Sequence, residues 1–429
     1  MKYKIKVLLI IEQCNPRWQS VPLEGYKYFQ AISQLVDTTI VTHDRNEKDI
    51  KEISEHNNRI VYIQEMDVLK RYYSLVENLT YKNQTKWQLY NSLMYPIYAD
   101  FNHKVYRQFK EKILNGDYDI VHAITPMIPR YPYKIVKVCQ QTPFLLGPVN
   151  GGIPFPPGFR TKAREEFAYL NFLRTIGRFL IPGYRETYKK ADRILAGSTY
   201  TLNLLKRLFK ISDSRISLFF ENGIDSGFVL TQKQPKQDAK IQLLFVGRLV
   251  PYKCADIVIK SIGKLNPTIQ NKIELTIVGD GSEKIKLENL VQKLGLNDIV
   301  QFIGWVPQSQ TLDYYRQADI FCFPSIREFG GAVVLEAMAN GLPCIVVNYG
   351  GIGEYVTEET GFKIEPISPE HLTQEVTQKI QILVEDDQLR ESMSVKSIER
   401  AGQFTWERKA IELVEIYEQM ISEKRSRDK

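Results

Sequence analysis

The stretch Ile320–Glu354, IFCFPSIREFGGAVVLEAMANGLPCIVVNYGGIGE, constrains the fold more than any other. Ile320-Phe321-Cys322-Phe323 is an apolar run closed by Pro324-Ser325, the pattern of a short buried strand. Gly330-Gly331 opens a segment whose Ala332, Leu335, Ala337 and Met338 predict a helix. That helix stops at Asn340-Gly341, where glycine supplies a left-handed terminus and Pro343 forbids continuation. Cys344-Ile345-Val346-Val347 is a second buried strand, ending in Gly350-Gly351. Strand, glycine turn, helix and strand make a parallel crossover unit, and such units take ligands at the carboxyl ends of their strands.

Two carboxylates frame this unit, Glu328 on the loop and Glu336 on the helix. The helix start at Gly330-Gly331 presents free N–H groups and a positive dipole end, with no Cβ to obstruct an anion. A carboxylate beside an anion repels phosphate but accepts hydrogen bonds from hydroxyls. Sugar and ribose hydroxyls flanking a diphosphate satisfy both halves. Read alone, Glu336 is equally a solvated helix glutamate and Glu328 a loop charge.

A chain of 429 residues exceeds one ordinary core, so two domains of about 200 residues each are expected. Residues 1–200 carry 29 Lys and Arg against 19 Asp and Glu, whereas the rest carry 28 against 31. The basic first half favours an anionic acceptor or an anionic membrane surface, or serves solubility. Cys14, Cys139, Cys254, Cys322 and Cys344 show no CxxC pairing, which reads as reduced core thiols in a cytoplasmic protein. The apolar run Val7–Ile11 is too short for a signal peptide and reads as a first strand. No window approaches 18 uninterrupted apolar residues, so no spanning helix is expected.

Along the first half, strands at 4–11 and 38–41 flank a helix containing Tyr26 and Phe29. The aromatics of 65–115 read as helix core packing. Asp117-Tyr118-Asp119 has the form of a divalent-metal site but immediately precedes a strand, and no third oxygen ligand accompanies it, so no metal is expected. The loop 147–158, containing Asn150, Gly151 and Gly152, follows an apolar strand. It is therefore expected at the carboxyl edge of the first sheet, shaping an acceptor pocket through close backbone approach. Residues 163–193 mix Phe167, Leu170, Ile176, Phe179 and Leu180 with Arg178, Arg185, Lys189, Lys190 and Arg193. Such a segment lies on an anionic bilayer surface or packs its apolar face inside the domain, and both readings stand at this point.

The polar stretch 226–240 reads as a linker. A strand at 241–246 leads into Gly247-Arg248-Leu249-Val250-Pro251-Tyr252-Lys253, and a strand at 275–278 into Gly279-Asp280-Gly281. A third glycine is absent at Lys284, which disfavours a nicotinamide fingerprint. Phe404-Thr405-Trp406 restarts a helix whose Trp406, Ala410, Leu413, Val414, Tyr417 and Ile421 share one face.

Taken in order, these motifs resemble the retaining glycosyltransferases of the GT-B fold, the "group 1" family (glycosyltransferase family four). Glu328 and Glu336 match its Glu-x₇-Glu signature, with Phe329-Gly330-Gly331 where relatives have Gly-Phe-Gly. Gly247 to Lys253 matches Gly-Arg-Leu-x-x-x-Lys-Gly, with Cys254 in place of the last glycine. Asn222-Gly223-Ile224-Asp225 resembles the family's domain-boundary signature. The resemblance implies an α/β fold of two doubly wound Rossmann-like parallel-sheet domains facing a cleft. On this reading residues 1–225 form the acceptor-side domain and 226–240 the linker. Residues 241–403 form the nucleotide-sugar domain, and a final helix, 404–429, returns to the first domain. Arg248 and Lys253 would grip the donor diphosphate, Glu328 the sugar and Glu336 the ribose. Gly247, Gly279, Gly281, Phe329, Gly330, Gly331 and Ala332 would line the donor site, with His122 beside the sugar. Two fixed cations at a strand end suit a leaving group that gains charge as the glycosidic bond breaks.

The implied reaction is transfer of a sugar from a nucleotide-diphospho-sugar to an acceptor hydroxyl, with retention and without metal or other cofactor. A sugar, glycan or glycolipid would be the acceptor, in polysaccharide or glycoconjugate biosynthesis. The expected setting is cytoplasmic, with peripheral contact on an anionic membrane face and no nucleic-acid partner. The alternatives are a sugar-nucleotide epimerase of the same fold and a non-catalytic sugar-nucleotide or membrane-surface binding protein.

Overall fold

Val7, Leu8, Leu9, Ile10 and Ile11 are all buried, alternate members facing two different apolar clusters. A strand apolar on both faces belongs in a parallel sheet covered by helices on each side. The computed structural model, which describes residues 4–53, 59–81, 87–233 and 240–427, contains two such sheets. The chain divides into two units: residues 1–152, 169–221 and 406–429 form the first, and 153–168 with 222–405 the second. Of the linker expected at 226–240, residues 234–239 lie outside the described residues.

The first unit holds β1 (Lys6–Ile11), β2 (Asp37–His43), β3 (Arg59–Ile63), β4 (Ile120–Thr125), β5 (Phe144–Val149), β6 (Arg193–Ala196) and β7 (Ile216–Leu218). Its seven strands run β3-β2-β1-β4-β5-β6-β7, all parallel. The helix Trp406–Arg427 closes one face of this unit. Its Trp406, Ala410, Leu413, Tyr417 and Met420 join the cluster built on Val7, Leu9 and Ile11. Trp406 meets Tyr28 edge-on at 5.0 Å between ring centroids.

The second unit holds β8 (Ile241–Val246), β9 (Ile273–Val278), β10 (Val300–Gly304), β11 (Ile320–Phe323), β12 (Cys344–Val347) and β13 (Gly361–Ile364). The order is β10-β9-β8-β11-β12-β13, again parallel. The crossover anticipated at 320–354 is present: β11, the helix Ala332–Ala339, then β12. All five cysteines are free and buried. No described helix is long and apolar enough to cross a membrane. In the helix Phe172–Leu180 of the first unit, the side chains of Phe172, Ile176, Phe179 and Leu180 stay exposed, so these apolar groups are not spent on the core.

One polar pair interrupts the apolar layers of the first unit. Glu12, just past β1, places Oε1 3.4 Å from Nε2 of His43 at the end of β2. Both side chains are buried, and neither ring nitrogen of His43 has a hydrogen-bond partner. Burial pushes the Glu12 carboxyl up to about 7 and the His43 imidazole well below its ordinary value. A carboxyl whose pKa rises on folding favours the fold below its unfolded value, and that contribution is lost as pH climbs to the folded value. Glu12→Gln is therefore expected to stabilise the protein at pH 8 by on the order of 3 kcal/mol and to be nearly neutral at pH 4.5. Urea denaturation at the two pH values checks this, and an equal difference at both would contradict it.

Candidate functional site

In the second unit the strand order reverses between β8 and β11. The chain runs from β8 outward through β9 and β10, then returns on the other side with β11. The two central strands are hydrogen-bonded neighbours, Ile320 opposite Leu243 and Phe321 opposite Leu244. Loops leaving strands at such a reversal diverge and leave a crevice at the carboxyl edge. The loop after β8 carries Arg248 and Lys253, and the loop after β11 carries Glu328.

Lys253 and Glu328 meet across the two loops. The Lys253 ammonium pairs with Oε1 of Glu328, and the Ser325 hydroxyl donates to the same oxygen at 2.8 Å. Both members of the pair are close to nine-tenths buried, and the ammonium lies 4.9 Å from the centroid of the Phe323 ring. Nη2 of Arg248 donates to the Tyr252 hydroxyl at 2.7 Å, which holds the guanidinium over the same turn. The turn survives the loss of a glycine because Cys254 adopts the left-handed conformation itself, with φ 59° and ψ 35°. That strain costs about 1 kcal/mol and leaves both cations in place.

The glycines serve the backbone as well as any ligand. A Cβ on Gly279 would stand 2.0 Å from the Gly247 carbonyl oxygen, because the loops after β8 and β9 are pressed together. Gly247 N–H donates to Val278 O and Leu249 N–H to Asp280 O, each at 2.9 Å. At the start of the helix Ala332–Ala339, Gly331 takes φ 78°, and a Cβ there would meet Ile352 at 2.3 Å. The first helical residue, Ala332, and its neighbour Gly331 are half-buried, whereas Gly330 and Gly281 lie at opposite extremes, buried and exposed.

Inside that helix, Glu336 is 7 % exposed. Gln308 Nε2 donates to its Oε1 and the Tyr315 hydroxyl to its Oε2, both at 2.9 Å. Burial pushes the Glu336 carboxyl up, and these two hydrogen bonds pull it back. Neither partner was foreseen from sequence, since Gln308 and Tyr315 belong to a separate helix, Gln308–Gln317.

Arg327 is a third residue that sequence reading missed. Its guanidinium lies between the Phe155 and Phe329 rings, at 5.1 and 5.3 Å from their centroids, and its Nε donates to Ile153 O at 3.3 Å. Phe329 thus stacks on an arginine of its own loop. The segment 153–168 is further tied down by Lys162 on Asp256 Oδ1 at 2.7 Å and by the Tyr349 hydroxyl on Pro154 O at 3.2 Å. The Gly- and Pro-rich composition of 147–158 signalled a loop at a sheet edge. It did not signal that the loop changes units after Gly152.

The other residues singled out in sequence lie in the first unit. Asn150 Oδ1 accepts from the Ser198 hydroxyl at 2.9 Å, and Gly151 N–H donates to Thr201 Oγ1 at 3.0 Å, at the start of the helix Thr199–Phe209. Gly151 and Gly152 have φ 145° and 87°. His122 on β4 is fully buried, with Nε2 2.7 Å from Gly147 O and Nδ1 2.7 Å from the Tyr417 hydroxyl. A carbonyl can only accept, so Nε2 carries the proton and Nδ1 accepts from Tyr417. Burial pulls the imidazole down to about 4, leaving it neutral. Any direct role for His122 in chemistry requires one of these two bonds to open. Asp119 caps the sheet edge, its Oδ2 accepting from Lys6 N–H at 2.8 Å. Among the described residues no group of three or more His, Cys, Asp or Glu is placed to hold a metal ion.

Because Lys253 and Glu328 neutralise each other out of water, Glu328→Ala should destabilise the protein by about 3–5 kcal/mol by stranding the ammonium. Lys253→Met added to it should recover most of that loss. Denaturant titration of the two variants tests the coupling, and additive losses would refute it.

Residues 229–400 match the glycosyl transferases group 1 family. Over 242 residues the chain is 27 % identical to the D-inositol 3-phosphate glycosyltransferase of Kribbella flavida, covering 52 % of this chain and 56 % of that protein. Over 184 residues it is 30 % identical to the Corynebacterium glutamicum protein of the same name, covering 42 % and 43 %. The chain thus spans about half the length of the curated relatives it matches. Among solved structures, that of Anabaena HepE in complex with UDP superposes with a TM-score of 0.63 at 15 % identity, covering 97 % of this chain and all of that one. Sucrose-phosphate synthase from Thermosynechococcus elongatus gives 0.64 at 18 % identity, covering 98 % of this chain and 100 % of that one. These likenesses establish the fold as GT-B, with two Rossmann-like parallel-sheet domains.

Proposed function

We propose that the chain, whose residues 229–400 match the glycosyl transferases group 1 family, transfers a sugar from a nucleotide-diphospho-sugar to an acceptor hydroxyl with retention of configuration. The observation that supports this reading is the Lys253–Glu328 ion pair between the two loops at the reversal point of the second sheet, with Arg248 on the same loop as Lys253 and bonded to Tyr252. Arg248, Lys253 and the N–H groups at Gly330-Gly331 stabilise the departing diphosphate, whose negative charge grows as the glycosidic bond lengthens. This electrostatic set performs the task that a divalent cation serves elsewhere, and the proposed reaction uses no metal.

In the free protein Lys253 is neutralised by Glu328. An arriving diphosphate oxygen draws the ammonium toward itself and frees a carboxylate lone pair for a sugar hydroxyl. Donor entry and sugar positioning are thereby linked through one ion pair. Glu336 accepts from the ribose hydroxyls. A leaving diphosphate oxygen takes the acceptor's proton, so no protein base is required on the attacking face. Anabaena HepE, similar in fold, was crystallised with UDP and with UDP-glucose, which supports a nucleotide-sugar as donor. An acceptor bearing a sugar or polyol hydroxyl, free or in a glycoconjugate, is in keeping with the D-inositol 3-phosphate relatives.

A thermal-shift screen with UDP-, GDP- and ADP-sugars should single out one donor that raises the melting temperature by mass action. With that donor, Arg248→Ala is expected to lower turnover about 10²–10³-fold, the cost of one transition-state donor. Turnover within a few-fold of wild type would remove Arg248 from the site.

The exposed apolar side chains Phe172, Ile176, Phe179 and Leu180, with the exposed cations Arg185 and Lys189 just beyond their helix, support a peripheral contact with an anionic bilayer. Phe179 and Leu180 are each 73 % exposed. Phe179→Glu with Leu180→Glu should abolish co-sedimentation with phosphatidylglycerol vesicles at low salt and leave the melting temperature unchanged. Wild-type protein that stays in the supernatant would end the membrane reading.

A further inference from the structure

Glu336 presents an electrostatic problem that its own helix does not solve. It is buried in the middle of Ala332–Ala339, and the charged group that bears on it is Asp225, whose like charge opposes ionisation. A carboxylate in that position tends to take up a proton. A protonated carboxyl donates through one oxygen and accepts poorly, so it is a bad partner for two neighbouring hydroxyls.

The remedy comes from the helix Gln308–Gln317. Gln308 and Tyr315 are seven positions apart, two turns, and so share a face. Each donates to a different oxygen of the Glu336 carboxylate, at 2.9 Å. Tyr315 has no solvent exposure, and its ring rests 6.0 Å from that of Phe321 on β11, which leaves the phenol little freedom to turn away. With one lone pair of each oxygen engaged from the Gln308–Gln317 side, the carboxylate is fixed in rotation and retains one acceptor direction on each oxygen.

We propose that Tyr315, assisted by Gln308, is a positioning residue that holds Glu336 as a two-oxygen acceptor for the cis-diol of the donor's ribose. This rests on the assignment of Glu336 to the ribose. It adds that recognition of a ribonucleotide over a deoxyribonucleotide is set from a second helix that need not touch the ligand. Tyr315 holds the carboxylate in its accepting form and Gln308 limits its rotation.

The test compares UDP with 2′-deoxy-UDP, and GDP with 2′-deoxy-GDP, by calorimetry between pH 5 and pH 8 on the full chain. In wild type the ribo form should bind more tightly, with an affinity that falls at the acid end as Glu336 protonates. Tyr315→Phe preserves volume and should keep the unliganded melting temperature close to wild type. It should weaken the ribo form about tenfold or more at pH 7, the value of a hydrogen bond to a charged group, and weaken the deoxy form far less. Its acid limb should move to higher pH as the carboxylate loses a donor. Glu336→Gln should erase both the ribo preference and the acid limb. If Tyr315→Phe weakens both forms equally with an unmoved acid limb, Tyr315 is packing alone and the proposal fails while the Glu336 assignment stands. If Glu336→Gln keeps the ribo preference, the ribose assignment itself fails and this proposal falls with it.

Discussion

Parallel pairing of β8 with β11 is the constraint on which the rest of the second unit depends. Those two strands are adjacent in space but separated by two other strands in sequence, and their loops must part because the chain arrives from opposite sides. Arg248, Lys253 and Glu328 hang from those two loops. An ammonium and a carboxylate buried close together would each cost several kcal/mol alone, and they persist because each solves the other's desolvation. In the proposed reaction, the donor diphosphate takes over the carboxylate's claim on the ammonium.

Backbone close packing imposes a second layer of constraint on the same loops. Gly247 and Gly279 approach until no side chain fits, and Gly331 is required both by its left-handed φ and by Ile352 beside it. The loops are therefore stiff before any ligand arrives, which is what preorganised electrostatic stabilisation demands. Cys254 is the exception, since it endures a conformation that glycine would adopt freely, and its buried thiol occupies space that glycine would leave empty. The segment 153–168, flanked in sequence on both sides by the first unit, is held in the second by Arg327 on Ile153 O and by Lys162 on Asp256. The same pattern recurs at Glu336, where the helix bearing the functional group is short and apolar. Its polar support is supplied by an adjacent helix.

The amino-acid sequence by itself determined the element types, the crossover at 320–354 and the chemical character of the donor-side loops. Glycine turns, proline stops and short apolar runs act over a few residues, so the elements could be read without coordinates, and the resemblance to the group 1 family then singled out Arg248, Lys253, Glu328 and Glu336. Only the tertiary structure decided which groups neutralise or position them. Lys253 meets Glu328 across 75 positions, Tyr315 meets Glu336 across 21, His122 meets Tyr417 across 295, and Arg327 meets Ile153 across 174. Such pairings are set by strand order and by which helix covers which face, and local propensity carries no record of either. The pair Glu12–His43 was invisible for the same reason: Glu12 follows β1 and His43 ends β2, and only the parallel pairing of the two strands brings both into one apolar layer.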